Sequence, residues 1–283
     1  MDKGGVGFIG AGKVGTTLGK YIAERGHRVS GYFSRHPESA GASARFTGSR
    51  AYDSAENLAA DSAVIFVTVP DGAIGDAWAE LKKTDIKGKY ICHCSGALSS
   101  LVFDGVSRLG AAGLSVHPLA AINSRWDSHR YMHAVSFTVE GEETAAAHMK
   151  SFLRSMGNPA ETIDADKKDV YHAGAVFLSN FVVALVHMGA ELLLSCVPDR
   201  AFAESASRQL FFTGAENIRA HGAVAALTGP VERGDTETVR KHLRCLDEPA
   251  HSLYVLLSRE LLQVAKAKNP ERDYGELEGE LNR

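Results

Sequence analysis

The run Val6-Gly7-Phe8-Ile9 flows directly into Gly10-Ala11-Gly12-Lys13-Val14-Gly15, a GxGxxG turn. That spacing restricts the fold because each glycine has a separate duty: the first permits a tight turn, the second admits a pyrophosphate, and the third lets a helix pack closely on a sheet. Context supports the reading. Val6 to Ile9 has the character of a buried strand, and Lys13 to Ala23 continues with residues suited to a helix. The alternative is a purely structural glycine turn. Gly10, Ala11, Gly12, Lys13, Val14 and Gly15 are therefore the first candidate cofactor contacts.

Beyond the turn the chain has the rhythm of an α/β sheet. Val29 to Phe33, Val64 to Val69, Tyr90 to Cys94 and Leu114 to His117 are short apolar runs separated by helix-compatible segments, the pattern of a parallel sheet. His133 to Val139 is expected to add a strand, Glu142 to Met156 a helix and Glu161 to Ile163 a short edge strand. From about Ala165 the chain becomes mainly helical, with Ala165–Val197, Arg200–Leu227, Asp235–Asp247 and Ala250–Lys268 as the coarse helices. The expected fold is thus α/β, a Rossmann-type parallel sheet over residues 1–160, followed by a mainly α-helical second domain over residues 161–283. Gly157-Asn158-Pro159 turns the chain between them. The charged tail after Asn269 is read as a solvated extension, with an edge-binding arm as the alternative.

Composition narrows the setting. With 283 residues and 45% hydrophobic content the chain can bury a sizeable core, and a formal charge of −3 gives no basis for a nucleic-acid or anionic-membrane partner. Met1-Asp2-Lys3 and the glycine run after it lack the pattern expected of a signal peptide, so export is not expected, and the apolar stretch Ala173 to Val197 is interrupted by Asn180, His187 and Glu191, which disfavours a membrane span. Cys92, Cys94, Cys196 and Cys245 are too few and scattered for a disulfide framework, so a reducing cytoplasmic setting is expected. Cys92-His93-Cys94 lacks a second ligand pair, and alternation along a strand sends its cysteines to one face and His93 to the other; no metal site is expected.

The second strand settles which dinucleotide to expect. A carboxylate at its end would bind the ribose hydroxyls of NAD, but the chain offers Ser34-Arg35-His36. Arg35 suits the extra ribose phosphate of NADP, with Ser34 donating a hydrogen bond, so NADP(H) is the expected cofactor. Otherwise Arg35 is a solvated loop charge. Thr68-Val69-Pro70 and Ser95 follow strands whose carboxyl ends are where such sheets bind ligands, and they are candidate cofactor contacts. Asp71 is read first as a helix cap and second as a group that orients a donor.

Candidate catalytic residues come from two places. His117 follows a strand, and Lys168 and His172 stand four apart on one helical face, within reach of Ser179 and Asn180 about two turns later. Such a polar stripe either lines a pocket or satisfies helix ends. Ser179, Asn180, Thr228 and Arg233 are candidate contacts for a small-molecule substrate, while Gly229-Pro230 defines a turn and Asp235 caps the next helix.

Taken together, GxGxxG, Thr68-Val69-Pro70-Asp71, Ser115-Val116-His117-Pro118-Leu119, Tyr171-His172-Ala173-Gly174-Ala175-Val176 with Ser179-Asn180, and Ala226-Leu227-Thr228-Gly229-Pro230 with Arg233-Gly234-Asp235 span nearly the whole chain. This set resembles a bacterial Rossmann-like NADP-binding family with an uncharacterised helical C-terminal domain, related to deazaflavin-dependent NADP reductases and pyrroline-carboxylate reductases. The resemblance implies an N-terminal NADP domain, a helical domain used in homodimer formation and a cleft near His117 and His172. Lys168 precedes Asn180 by twelve residues, not the four of the Lys-x-x-x-Asn pattern of hydroxyacid dehydrogenases. The expected activity is hydride transfer between NADP(H) and a small carbonyl or imine. A non-catalytic NADP-responsive binding protein and a dimeric scaffold are the alternatives.

Overall fold

The computed structural model describes residues 4–283; Met1, Asp2 and Lys3 lie outside the described residues. Two compact units divide at residues 179/180, Met1–Ser179 and Asn180–Arg283, so the expected turn at Gly157-Asn158-Pro159 falls inside the first.

Alternation of strand and helix builds the first unit. In chain order it runs β1 (Gly5–Ile9), α1 (Lys13–Glu24), β2 (Val29–Phe33), α2 (Pro37–Thr47), β3 (Arg50–Ala51), α3 (Ala55–Ala60) and β4 (Ser62–Val67). It continues with α4 (Ile74–Leu81), β5 (Tyr90–His93), β6 (Ala112–Pro118), β7 (Phe137–Gly141), α5 (Glu143–Ser155), β8 (Ala160–Thr162) and α6 (Lys168–Phe177). The eight strands form one sheet in the order β3-β2-β1-β4-β5-β6-β7-β8. All neighbours are parallel except β6 and β7, which run antiparallel with His117 directly opposite Thr138.

Each face of the sheet carries its own core, as expected of parallel strands buried on both sides. Phe8, Tyr32 and Phe66 stack in a row on one face beneath Leu18, Ile22 and Met149. Ile65, Ile91, Trp78, Leu81 and Phe103 fill the other. Cys92 joins the first core while His93 lies against Phe103 on the second, the alternation expected of that strand.

Two expectations change in this unit. His133 and Ala134 are not strand residues; they end a 3-10 turn, Ser128–Ala134, where His133 Nδ1 closes locally on the Arg130 carbonyl at 2.9 Å. The single helix expected from Ala165 to Val197 breaks after α6, where Ser179 N donates to Val176 O and Ser179 Oγ bonds back to Ala175 O at 2.7 Å. Such tight turns and hydroxyl back-bonds compete with regular helix.

The second unit is helical: α7 (Asn180–Cys196), α8 (Arg200–Ala226, kinked at Gly222), α9 (Pro230–Arg233), α10 (Thr236–Cys245), α11 (Ala250–Lys268) and α12 (Gly275–Leu281). The tail is thus not a solvated arm. α12 turns Leu277 and Leu281 into the core with Val231, Val239, Leu262 and Tyr274, and Tyr274 Oη donates to the Glu232 carbonyl at 2.6 Å. Asp235 caps α10 as expected, accepting from Thr238 N at 3.0 Å. By contrast α7 buries no residue and α8 only Ala203 and Ser207. Residues Ala165–Cys196 are long and apolar enough to cross a membrane by length and composition alone.

Candidate active site

The glycine turn lies where β1 hands over to α1. Gly10 adopts φ +105° and lies so close to Thr68 that a Cβ would stand 2.8 Å from the Thr68 carbonyl. At Gly15 a Cβ would meet Thr68 Oγ1 at 2.3 Å, whereas at Gly12 it would meet nothing within 4 Å. That open space beside Gly12, at a helix N-terminus with no acidic residue in its first turn, suits a phosphate. Thr68 holds the turn from β4, donating from Oγ1 to the Gly10 carbonyl at 2.9 Å.

A cavity of about 810 Å³ opens over this turn, lined by Gly10, Ala11, Gly12, Ser34, Arg35, Thr68, Val69 and Pro70 among others. These are eight of the expected cofactor contacts. Lys13, Val14 and Gly15 do not line it: Lys13 is exposed at the start of α1, Val14 packs partly into the sheet core, and Gly15 is buried against Thr68. Asp53, Glu56, Asp76 and Glu80 share the rim, so the charge that matters is local. Asp53 accepts from Asn57 Nδ2 and Glu80 pairs with Lys83, while exposed Arg35 has no ion-pair partner among the described residues.

Arg125 belongs to this neighbourhood although no motif marks it. Its guanidinium donates to Thr16 Oγ1 at 3.2 Å, to Ser39 O at 2.6 Å and to Ser43 Oγ at 2.7 Å, tying α1 to the start of α2 just beyond Ser34-Arg35.

A second cluster gathers at the carboxyl ends of β5 and β6. Ser95 does not line the 810 Å³ cavity; it is a hub. Its Oγ donates to Asp71 Oδ2 at 2.6 Å and accepts from the Ala97 and Leu98 amides, and its carbonyl accepts from Lys168 Nζ at 3.1 Å. Asp71 therefore orients a donor; it is the first residue of a 3-10 turn, Asp71–Ala73, whose N-cap position is held by Pro70. His93, fully buried, accepts from the Ser95 amide at Nδ1 and donates from Nε2 to the Ser99 carbonyl at 3.1 Å. Burial pushes its pKa down to about 4.

Lys168 is 2% exposed, with Nζ donating to Ser95 O and, at 2.7 Å, to Ser115 Oγ. Both partners are uncharged, and burial lowers its pKa against the opposing pull of Glu140 and Asp71. One turn on, Tyr171 Oη lies 2.7 Å from His117 Nδ1 and accepts from Thr138 Oγ1 at 2.8 Å. His117 is pushed down to about 4 by burial first, then by Lys168 and His172. Gly96 lies beneath both imidazoles: a Cβ there would stand 2.5 Å from His172 Nδ1 and 2.9 Å from His117 Nε2. His172 Nδ1 is buried with no hydrogen-bond partner among the described residues.

The first unit thus brings His117, Lys168, His172 and Ser95 together. Tyr171, Thr138, Gly96 and His93 complete the cluster; Tyr171 and His93 stand in runs that draw notice in the sequence, but nothing in the sequence assigns any of the four to a site. Ser179 closes this unit. Asn180, Thr228 and Arg233 belong to the second, where Arg233 faces Asp235 at 3.9 Å and Thr228 precedes the Gly229-Pro230 start of α9.

Comparison with known proteins divides the chain earlier than the compact units do. Residues 2–118 match a Rossmann-like domain and residues 135–261 match a domain of unknown function, DUF2520. No curated protein sequence matches the chain. Among solved structures, a Thermotoga maritima protein is similar with a TM-score of 0.76 at 25% identity, over 93% of this chain and 99% of that one. A Plasmodium falciparum pyrroline carboxylate reductase solved with NADP bound gives 0.57 at 15% identity, over 100% and 97%. An imine reductase from Pseudomonas gives 0.61 at 18%, over 94% and 98%. At such identities the last two share the fold. Along the chain, then, a match to a Rossmann-like domain is followed by a match to a DUF2520 domain.

Proposed function

We propose that the protein is an NADP(H)-dependent oxidoreductase that transfers a hydride between the nicotinamide and a small carbonyl or imine. One observation carries this reading: the open space at Gly12 shares its cavity with Arg35, which has no ion-pair partner among the described residues. The fold is shared with a pyrroline carboxylate reductase that holds NADP and with an imine reductase, which supports the same class.

Gly10, Gly12 and the start of α1 hold the pyrophosphate, and Ser34 and Arg35 hold the ribose phosphate. When bound, the nicotinamide supplies or accepts the hydride. The chain must handle the proton. Lys168 suits that duty because its ammonium is buried among uncharged acceptors and so releases a proton more readily than a surface lysine. His117, held neutral near pH 7 by its low pKa, and His172 orient the reacting group beside Gly96.

A homodimer completes this proposal. α7, α8 and α11 expose Val183, Leu192, Leu210, Phe212 and Leu256, a distribution that a second copy explains better than solvent does. A bilayer is disfavoured as the cover: Lys168, near the start of the apolar stretch, is buried in the first unit, and Glu191 within it pairs with Arg200 at 3.4 Å. The four cysteines are free thiols, which suits a reducing cytoplasm.

The test is anaerobic titration with NADPH and NADH, followed by a panel of carbonyls, imines and deazaflavin read by nicotinamide absorbance. Tight NADPH binding with oxidation by one class supports the proposal. Binding without turnover favours a nucleotide-responsive protein, and failure to bind either nucleotide overturns the assignment.

A further inference from the structure

Three elements converge on His117. β6 carries it, β7 places Thr138 directly opposite across the antiparallel pair, and α6 brings Tyr171 within hydrogen-bonding distance of both. Opposed residues of such a pair project to the same face, so one hydroxyl can reach both side chains. Tyr171 Oη does so, at 2.7 Å from His117 Nδ1 and 2.8 Å from Thr138 Oγ1.

One arrangement of protons gives every group a partner. With Thr138 donating to Oη, the phenol proton is free to go to His117 Nδ1. A neutral imidazole that accepts at Nδ1 carries its proton at Nε2. Nε2 is also the nitrogen on the Gly96 side of the ring, near His172 Nδ1, which is buried with no hydrogen-bond partner among the described residues.

We propose that Thr138 and Tyr171 are positioning residues that lock His117 in the Nε2–H tautomer, so that it presents a fixed neutral hydrogen-bond donor to the substrate. This rests on the reductase reading and sharpens its substrate class. The donor fits a group with a free lone pair, a carbonyl oxygen or an unprotonated imine nitrogen; a protonated iminium nitrogen has no lone pair to offer it. His117 then polarises the reacting bond without giving up its own proton, which leaves proton delivery to Lys168. Were the tautomer free, the Nδ1–H form would turn a lone pair toward that same oxygen and repel it.

Long-range 15N–1H NMR of the full chain at pH 7, without cofactor or substrate, tests this directly, with His117 assigned by the signals lost in His117→Gln. The expected wild-type pattern is Nδ1 unprotonated and Nε2 protonated. Tyr171→Phe, which removes one oxygen and keeps the ring near Lys168, should give a mixture of tautomers, and Thr138→Val should move the spectrum the same way. Protonation of Nδ1 in the wild-type protein overturns the proposal whatever the variants do, and so does a Tyr171→Phe spectrum identical to wild type. On a reducible carbonyl, Tyr171→Phe should lower kcat about tenfold, a smaller loss than deletion of an oxyanion donor, with KM for NADPH within about twofold. An unchanged kcat alongside a changed tautomer removes the donor role. Because the spectra need no turnover, the tautomer lock and the reductase reading can fail separately.

Discussion

At Gly96 the backbone passes so close to two imidazoles that even a methyl group has no room, with 2.5 Å to His172 Nδ1 and 2.9 Å to His117 Nε2. Gly96→Ala should therefore push the rings apart, and misplacement by about 1 Å lowers rates by about 100-fold. The expected result is a drop of that order in kcat/KM with NADPH affinity within about twofold; equal losses in both would indicate a general folding defect. Arg35 is the matching test at the cofactor. If Arg35 meets the ribose phosphate as proposed, Arg35→Asp replaces an attraction by a repulsion and should raise the Kd for NADPH roughly 100-fold while NADH changes little. Isothermal titration of both nucleotides decides it, and parallel weakening would make Arg35 a general loop charge. The two residues differ in how readily a sequence reveals them. Arg35 can be nominated from the sequence because a position after β2 has a known duty in dinucleotide-binding sheets; Gly96, Tyr171 and Thr138 enter only through contacts between elements far apart in the chain, which periodicity does not encode.

Where β5 and β6 end, two imidazoles are held neutral, and that has a consequence for stability. The pKa values of His93 and His117 are pushed down to about 4 by burial, while an unfolded histidine titrates near 6.5. Below pH 6.5 the unfolded chain takes up protons that the folded chain refuses, so these residues favour folding fully above 6.5. Their contribution falls away as pH drops toward 4. Each accounts for a slope of up to about 1.4 kcal/mol per pH unit in that window. Urea unfolding at pH 7, 5.5 and 4.5 should reveal the slope, and His93→Gln should flatten it; an identical slope in the variant would show that His93 does not titrate as described. Local pattern predicted these elements well where one face is buried: α11 occupies Ala250–Lys268 as read, and Glu142 caps α5 through the Thr144 and Ala145 amides. It failed where polar side chains conceal packing. α12 reads as a charged tail because Lys266–Glu278 and Arg240–Glu280 ion pairs surround the buried Leu277 and Leu281.

Across the whole molecule the two units use their apolar residues differently. The sheet unit buries its large side chains in two cores, whereas the second unit has one small core at α9–α12 and leaves α7 and α8 with apolar side chains in the open. Composition indicates that a second helical part exists, but not where its apolar residues point, since a core helix and an interface helix carry the same pattern. Exposed Val183 on α7 and Phe212 on α8, at 70% and 64%, separate the two cases. If a second copy covers them, Val183→Glu and Phe212→Glu should abolish the dimer, because each carboxylate would be buried without a partner. The monomer should keep its helical circular dichroism, since neither side chain fills the core of its own chain. Sedimentation velocity at micromolar concentration should give twice the mass of one 30.3 kDa chain for the wild type and a single chain for the double variant. The melting temperature of the wild type should rise with protein concentration and that of the variant should not, because only an associating system gains stability by mass action. A wild-type monomer with a concentration-independent transition would remove the dimer from the proposal and leave these faces to another cover.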